Sequence, residues 1–400
     1  MSTSSYKSPR SIRGQDVAVS SGRPWLLTRP PGVVPALALF AAIRLAGVAA
    51  LAALAALTGR PPLKSLAHSW DSVWYLHIAE HGYGTRIHIT QTGALQTDWA
   101  FFPLYPLLIR ALSHTLHITP GSAALLVAWA TAVLAAYGVY AIGHGLHGRA
   151  VATVLVALWA ALPHSVVLSL AYTEPLFSAL AVWSLFAVLK GRWVVAGALA
   201  ALAGLTRPSG IAAAVAVLAA AGYEAVRQRG RVPHGLWVGV LLAPLGLAGY
   251  VLWVGRRTGD LLHGYFRIQS AWNSRMDFGE GTLRFLKVLL LQGGGVVQPL
   301  ALVIVATSVV LFLLLCLDKA PVPLVVFAGT LLAMVLLVSG PFSSKPRFLL
   351  PAFPLLIPLA CGLARTWRSR PERAAVLGGT LAVVSLAYGA FLVLIPHQPL

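Results

Sequence analysis

Five short stretches hold the side chains able to move a proton or bind a charged group. HSWDSVWYLHIAEHGYG (68–84) sets Asp71 between Trp70 and the Trp74-Tyr75 pair. A carboxylate there has two uses: it caps a short helix, as Ser69 would also do, or it meets a substrate as a base. TDWAFFPLYPLLIR (97–110) adds Asp98 and Tyr105 among prolines and further aromatics. Asp98 reads either as a solvated loop carboxylate or as a sugar-binding acid. AYTEP (171–175) and LTRPSG (205–210) bring Glu174 and Arg207, which suit a structural ion pair or the lining of a polar cavity. SSKPRF (343–348) brings Lys345 and Arg347. Two such cations fit a phosphate, Arg with bidentate geometry, or else snorkel from a helix end.

The first stretch also contains His77-Ile-Ala-Glu80-His81, the H-x-x-E-H pattern of some zinc peptidases. The two histidines lie one helical turn apart, as metal ligands would. No acidic residue within a helical span offers a third ligand, so no metal is expected; the histidines read as polar positions on the exposed face of an interfacial helix. Cys316 and Cys361 sit in apolar runs and read as packing residues. The Gly293-Gly294-Gly295 run lacks the Lys-Ser/Thr of a phosphate-binding loop. No cofactor is expected.

The elements that must position these residues follow from composition. Hydrophobic residues make up 58% of the 400 and charged residues only 10%, against roughly 25% charged in an ordinary soluble domain. A soluble fold cannot clothe its surface with so few charges, so the bilayer is the expected solvent. The net charge of +19 does not indicate nucleic acid, because no basic stretch is interleaved with exposed aromatics. Residues 1–32 read as a disordered cytoplasmic tail and 33–400 as one integral membrane domain. Apolar runs place spans near 33–58, 122–142, 150–170, 175–189, 193–206, 210–223, 236–255, 296–317, 322–340, 348–364 and 374–395. The expectation is an all-α polytopic membrane protein with about eleven transmembrane helices. A long outer first loop, 59–121, bears interfacial helices. With the amino terminus inside, the basic clusters Arg227, Arg229, Arg231 and Arg365, Arg368, Arg370, Arg373 fall on the cytoplasmic side. All five chemical stretches then share the outer face. The deeper Arg44 reads as a helix–helix contact inside the bundle.

The ordered set of motifs resembles the PIG-V-type mannosyltransferases, multispanning glycosyltransferases of the GT-C class. The resemblance runs through Trp70-Asp71, Trp74-Tyr75, Ile78-Ala79 and Gly82-Tyr83, then FFPLYPLL (101–108), Tyr172-Thr173-Glu174, Leu205-Thr206-Arg207-Pro208 and Arg347-Phe348-Leu349-Leu350-Pro351. His77 and His81 are not part of that pattern. The resemblance implies a polyprenyl-phosphate sugar donor, a lipid or glycoconjugate acceptor, and inversion at the anomeric carbon. It implies Asp71 as the base that takes the acceptor's proton. Lys345, Arg347 and Arg207 then offset the charge of the leaving phosphate, and Trp70, Trp74, Tyr75, Asp98, Tyr105 and Glu174 complete the substrate-binding set. The arginine-, alanine- and glycine-rich composition suggests a bacterial plasma membrane. A flippase of a lipid-linked glycan is the alternative, with balanced halves and related broken helices as its sign; a zinc peptidase stands further back.

Overall fold

A computed structural model describes residues 30–61, 66–89 and 94–394. Residues 1–29 of the expected tail lie outside the described residues. The chain is a bundle of apolar helices with its loops gathered at two ends. Helix α1 (Val33–Leu57) packs against the long α4 (Pro120–Ala160). Between them lie α2 (Ser72–His81) and α3 (Leu104–Leu116). The hairpins α5 (Glu174–Leu189)–α6 (Trp193–Gly204) and α7 (Ile211–Arg227)–α8 (His234–Leu242) follow, with α8 continued as α9 (Leu245–Thr258). Two short helices, α10 (Gly264–Ala271) and α11 (Glu280–Gln292), occupy the second long loop. Helices α12 (Val297–Leu317), α13 (Val322–Leu337), α14 (Lys345–Phe348), α15 (Ile357–Ser369) and α16 (Pro371–Leu394) complete the order.

Among the described residues, six helical stretches are long and apolar enough to cross a membrane, or seven if the bent Phe342–Phe348 and Phe353–Ser369 pair counts as one. Three further apolar helices, α5, α6 and α13, are shorter. Each expected span overlaps a helix, although 150–170 runs past the end of α4 at Ala160 and 348–364 crosses the break after Phe348; length and apolarity do not reach a count of eleven. Within α4 the expected second and third spans begin as separate helical arms, divided at Gly148 (φ 81°, ψ 178°). Glycine alone enters that region without steric cost. Thr119 starts this helix, its Oγ1 accepting from the Ser122 amide at 3.2 Å, with Pro120 at the first helical position.

The all-α expectation also misses a two-stranded antiparallel hairpin in the first loop. Strand β1 (Ile87–Ile89) pairs with β2 (Leu95–Thr97) in the register Ile87↔Thr97 and Ile89↔Leu95. Alternating β-branched residues over so short a run were hidden within the polar loop signal.

Small residues set how closely the helices approach. A Cβ on Gly197 or Gly239 would collide with the facing backbone of α8 or α6. Without lipid-excluding hydrophobic drive, such small-residue contacts carry helix association in a bilayer. Large apolar side chains such as Leu45, Trp237 and Leu241 stay on the outside of the bundle, as a lipid-facing surface requires. Arg44 is the buried exception. Its guanidinium donates to Ala160 O at 3.0 Å, Ser165 Oγ at 2.6 Å and Ser169 Oγ at 3.0 Å. It thus pins α1 to the segment after α4, the helix–helix role expected of it.

Candidate active site

Two backbone bonds bring distant motifs together. The Ala171 amide donates to Leu66 O at 3.0 Å, which lays the start of the first long loop beside the Tyr172-Thr173-Glu174 turn. The Leu104 amide donates to Leu205 O at 3.0 Å, which ties the loop's end to the turn holding Arg207. The segment bearing Arg347 is held from below. The Trp159 indole donates to Leu350 O at 2.9 Å while its ring stacks on Phe40.

The result is a chain of four charges from four segments. Arg347 Nη1 lies 2.8 Å from Asp71 Oδ2, and Arg347 Nε lies 3.3 Å from Glu174 Oε1. Arg207 Nη1 meets the same Glu174 oxygen at 2.6 Å. The side chains of Glu174, Arg347 and Arg207 are 1%, 8% and 10% exposed, whereas that of Asp71 is 30% exposed. The cluster is therefore sealed on the Glu174 side and open at Asp71. Aromatic faces complete it. Phe348 lies between the two guanidiniums, 4.9 Å from Arg347 and 5.3 Å from Arg207, and the Tyr172 ring lies 5.3 Å from Arg347. Cations favour such ring faces, the more so when desolvated. Two carboxylates against two guanidiniums leave the set neutral, which is what makes its burial tolerable.

Asp71 occupies the N-cap position of α2 but makes no side-chain cap bond. The capping alternative is therefore set aside, because the carboxylate is turned to Arg347. The preceding Trp70 adopts φ 49°, rare for a bulky residue, and this turn delivers Asp71 at the helix start. Trp74 stacks on Phe101 at 5.5 Å, with the Arg86 guanidinium 4.6 Å from its ring. The fully buried Tyr75 stands edge-on to Phe101 and Tyr105, and its hydroxyl faces Thr173. These rings form the wall beneath Asp71.

Three expected binding residues have other partners. Both oxygens of Asp98 accept from the Gly84 amide, at 3.0 and 2.9 Å, and one also accepts from the Thr85 amide at 3.2 Å. Asp98 is 0% exposed, so its lone pairs serve the loop and not an open sugar site. The Tyr105 hydroxyl donates to Ala124 O on α4 at 2.9 Å. Lys345 is equally buried, which removes the snorkelling alternative for the pair, but its Nζ donates to Thr282 Oγ1 on α11 at 2.7 Å. The charge facing it is Asp277. Burial opposes ionisation of Asp277, yet the Gly281 and Gly279 amides and Lys345 together hold its carboxyl below the usual range. Lys345 thus fastens the second long loop to α14, while Arg347 alone of the two joins the cluster. The stem is the short backbone of α14, whose neighbouring residues point to opposite tasks.

His77 and His81 stack at 4.5 Å, and His77 Nε2 lies 3.0 Å from Thr85 Oγ1. Burial and the neighbouring His81 and Arg86 push the His77 imidazole below its ordinary value. No group of three or more His, Cys, Asp or Glu among the described residues is arranged around a common metal position.

Tyr172 and Phe348 belong to the site although residue-type reasoning passed over them. Their signal was adjacency to Glu174 and Arg347 inside the motifs. Thr282 carried no signal, being one threonine in a loop far along the chain.

Residues 48–228, which hold Asp71, Glu174 and Arg207, match the family model "Mannosyltransferase (PIG-V)". No curated protein matches the sequence significantly. ArnT from Cupriavidus metallidurans in the apo state is structurally similar, with a TM-score of 0.51 at 14% identity over 90% of this chain and 75% of that one. ArnT bound to undecaprenyl phosphate gives 0.51 at 15% identity over 89% and 74%. The Archaeoglobus fulgidus oligosaccharyltransferase in complex with Zn and sulfate gives 0.48 at 15% identity over 87% of this chain and 52% of that one. The fold is thus similar to that of ArnT, and residues 48–228 match the PIG-V mannosyltransferase family model.

Proposed function

We propose that this integral membrane glycosyltransferase moves a mannosyl residue from a polyprenyl-phosphate donor to a hydroxyl of a lipid-linked or glycoconjugate acceptor, on the outer face of the membrane and with inversion. The observation that carries the reading is the buried Asp71–Arg347–Glu174–Arg207 chain, open to solvent at Asp71 only. The acceptor oxygen attacks the anomeric carbon, the carbon–oxygen bond to phosphate breaks, and the acceptor's proton passes to Asp71. Phosphate leaves with the electron pair. A β-linked donor gives an α-mannoside.

Arg347 is the group that meets the phosphate. In the resting protein its Nη1 is engaged by Asp71. An arriving phosphate competes for that same nitrogen, with bidentate geometry in its favour. Displacement leaves the Asp71 carboxylate to the acceptor hydroxyl, so donor binding readies the base. Glu174 stays behind Arg347 and Arg207, holding both guanidiniums in place.

The donor's tail has a place to lie. A cavity of about 1250 Å³ runs between α1, α4, α12, α15 and α16, walled by side chains such as Leu39, Ile43, Leu158, Leu311 and Leu355. Pro346 and Leu349, on either side of Arg347 in sequence, line its wall. The undecaprenyl phosphate bound by the similarly folded ArnT is a lipid of this kind. The test is transfer of label from radiolabelled polyprenyl-phosphate mannose by membranes containing the protein. Label in a lipid or glycoconjugate product, absent with Asp71→Asn, supports the reading. Transfer only from a nucleotide sugar would overturn it.

A further inference from the structure

We propose that His164 is a second phosphate-recognition residue, holding the head of the lipid where the apolar groove reaches the charged cluster. The inference rests on the donor reading above and adds a residue that no motif contains.

His164 follows α4 and is 2% exposed. It lines the groove; the Ser343 backbone offers a hydrogen bond to one side of the imidazole, and nothing among the described residues partners the other ring nitrogen. The Tyr388 ring on α16 meets the imidazole edge-on at 5.8 Å, and the Tyr388 hydroxyl likewise has no partner. Two orphaned polar groups on facing elements are unusual, since buried polar groups in native proteins are nearly always paired. Each is costly to bury unless something polar arrives.

The surroundings state what that is. Besides His164 the groove's polar side chains are Arg149, Thr153, Thr307, Ser308, Arg368 and Ser385; the remaining lining is overwhelmingly apolar, so its occupant is mainly hydrocarbon. Pro346 and Leu349, which flank Arg347 in sequence, line the same groove as His164, so this end of the occupant lies next to that cation. A long hydrocarbon ending in a phosphate satisfies both conditions. An imidazole N–H donates to a phosphate oxygen on the groove side, while Arg347 reaches it from the cluster side. Tyr388, whose ring meets the imidazole from behind the groove lining, offers its unpartnered hydroxyl as a second donor. His164 is thereby placed to sense the phosphate before Asp71 yields Arg347.

Three lipids share this chemistry: the sugar-linked donor, the bare polyprenyl phosphate product and a resident phospholipid. Full-length wild-type, His164→Phe, His164→Gln and Tyr388→Phe proteins in nanodiscs separate them. Phe keeps the ring's shape and removes its nitrogens; Gln keeps a donor. For each, the donor KM and the acceptor KM are measured, with the inhibition constant of bare polyprenyl phosphate and the thermal midpoint. His164→Phe is expected to raise the donor KM and the inhibition constant together by about tenfold, the loss of one hydrogen bond to a charged oxygen. The acceptor KM should hold, and Gln should recover most of the loss. Should His164→Phe fail to fold, Tyr388→Phe carries the test, with a smaller rise of the same two constants. Unchanged constants in the folded variants overturn the proposal and leave the unpartnered nitrogen to a trapped water. Competition by dioleoylphosphatidylglycerol as effective as that by polyprenyl phosphate also overturns it, since the site then holds resident lipid. If wild type transfers nothing from polyprenyl-phosphate mannose yet binds bare polyprenyl phosphate through His164, the donor reading fails and this one stands.

Discussion

Replacing Asp71 by Asn and Glu174 by Gln should separate chemistry from architecture, because the two carboxylates differ in burial and in the number of partners. Asp71 is 30% exposed and serves one guanidinium, which keeps Glu174 as a second partner. Its loss of charge is screened by solvent and should cost under about 1 kcal/mol. Nothing is lost as a helix cap, since no cap bond exists. Glu174 is 1% exposed and faces both Arg207 and Arg347. Glu174→Gln leaves Arg207 buried without its counter-charge, a change worth about 3–5 kcal/mol. Turnover should move the other way around. Asp71→Asn removes the base and should lower kcat by about 10²–10⁴, with no rise in donor KM because Arg347 is released. Glu174→Gln should lose activity in proportion to the folded fraction and to misplaced guanidiniums. The measurements are thermal midpoints in detergent and initial rates of label transfer from the same preparations. An Asp71→Asn protein within a few-fold of wild-type kcat would refute the assignment of the base. A midpoint as low for Asp71→Asn as for Glu174→Gln would refute the argument from burial.

Arg347→Ala should weaken donor use strongly and Arg347→Lys should restore it only in part, read as donor KM, since a point charge does not reproduce the guanidinium fork. Asp98→Asn should leave sugar affinity unchanged but loosen the first outer loop, lost amide bonds of about 1 kcal/mol or more each appearing as faster limited proteolysis; an altered donor or acceptor KM would return Asp98 to the binding site. Arg44→Ala should lower the thermal midpoint without changing the KM of the folded fraction, because its three acceptors lie at the end of α4 and in the segment that follows it, away from the charged cluster. The exposed His88 of β1, changed to Cys in a background lacking Cys316 and Cys361, should react with an impermeant maleimide from outside intact cells; protection would invert the orientation.

The apolar runs made the helices legible, since a stretch of about 20 apolar residues has few other solutions. They also marked the division within α4, where Gly148 breaks the helix; what they concealed was the end of that helix at Ala160, inside the expected span 150–170. At the site, Asp71, Glu174, Arg207 and Arg347 were all legible as expensive residues near a membrane, and the structure gathers them. Lys345 was not separable from Arg347 by sequence, because their divergence depends on Thr282, remote in the chain. Asp98 was equally opaque. Whether a carboxylate faces a ligand or its own loop is decided by the direction of the Gly84 and Thr85 amides, and spacing says nothing about that. His164 gave no signal, for a lone histidine in an apolar context is ordinarily a satisfied core residue.

The charged chain has a consequence for biogenesis. Its acids and Arg207 lie in the first part of the polypeptide, and Arg347 belongs to the short α14 near the other end. While the chain is being threaded into the membrane, Glu174 has only Arg207 to neutralise it, and Asp71 has no cation of its own. The early helices therefore wait as a half-neutralised assembly, and the last quarter of the chain supplies the charge that closes it. A chain ending before α14 keeps Arg207 as the counter-charge of Glu174 but lacks the guanidinium that both carboxylates share.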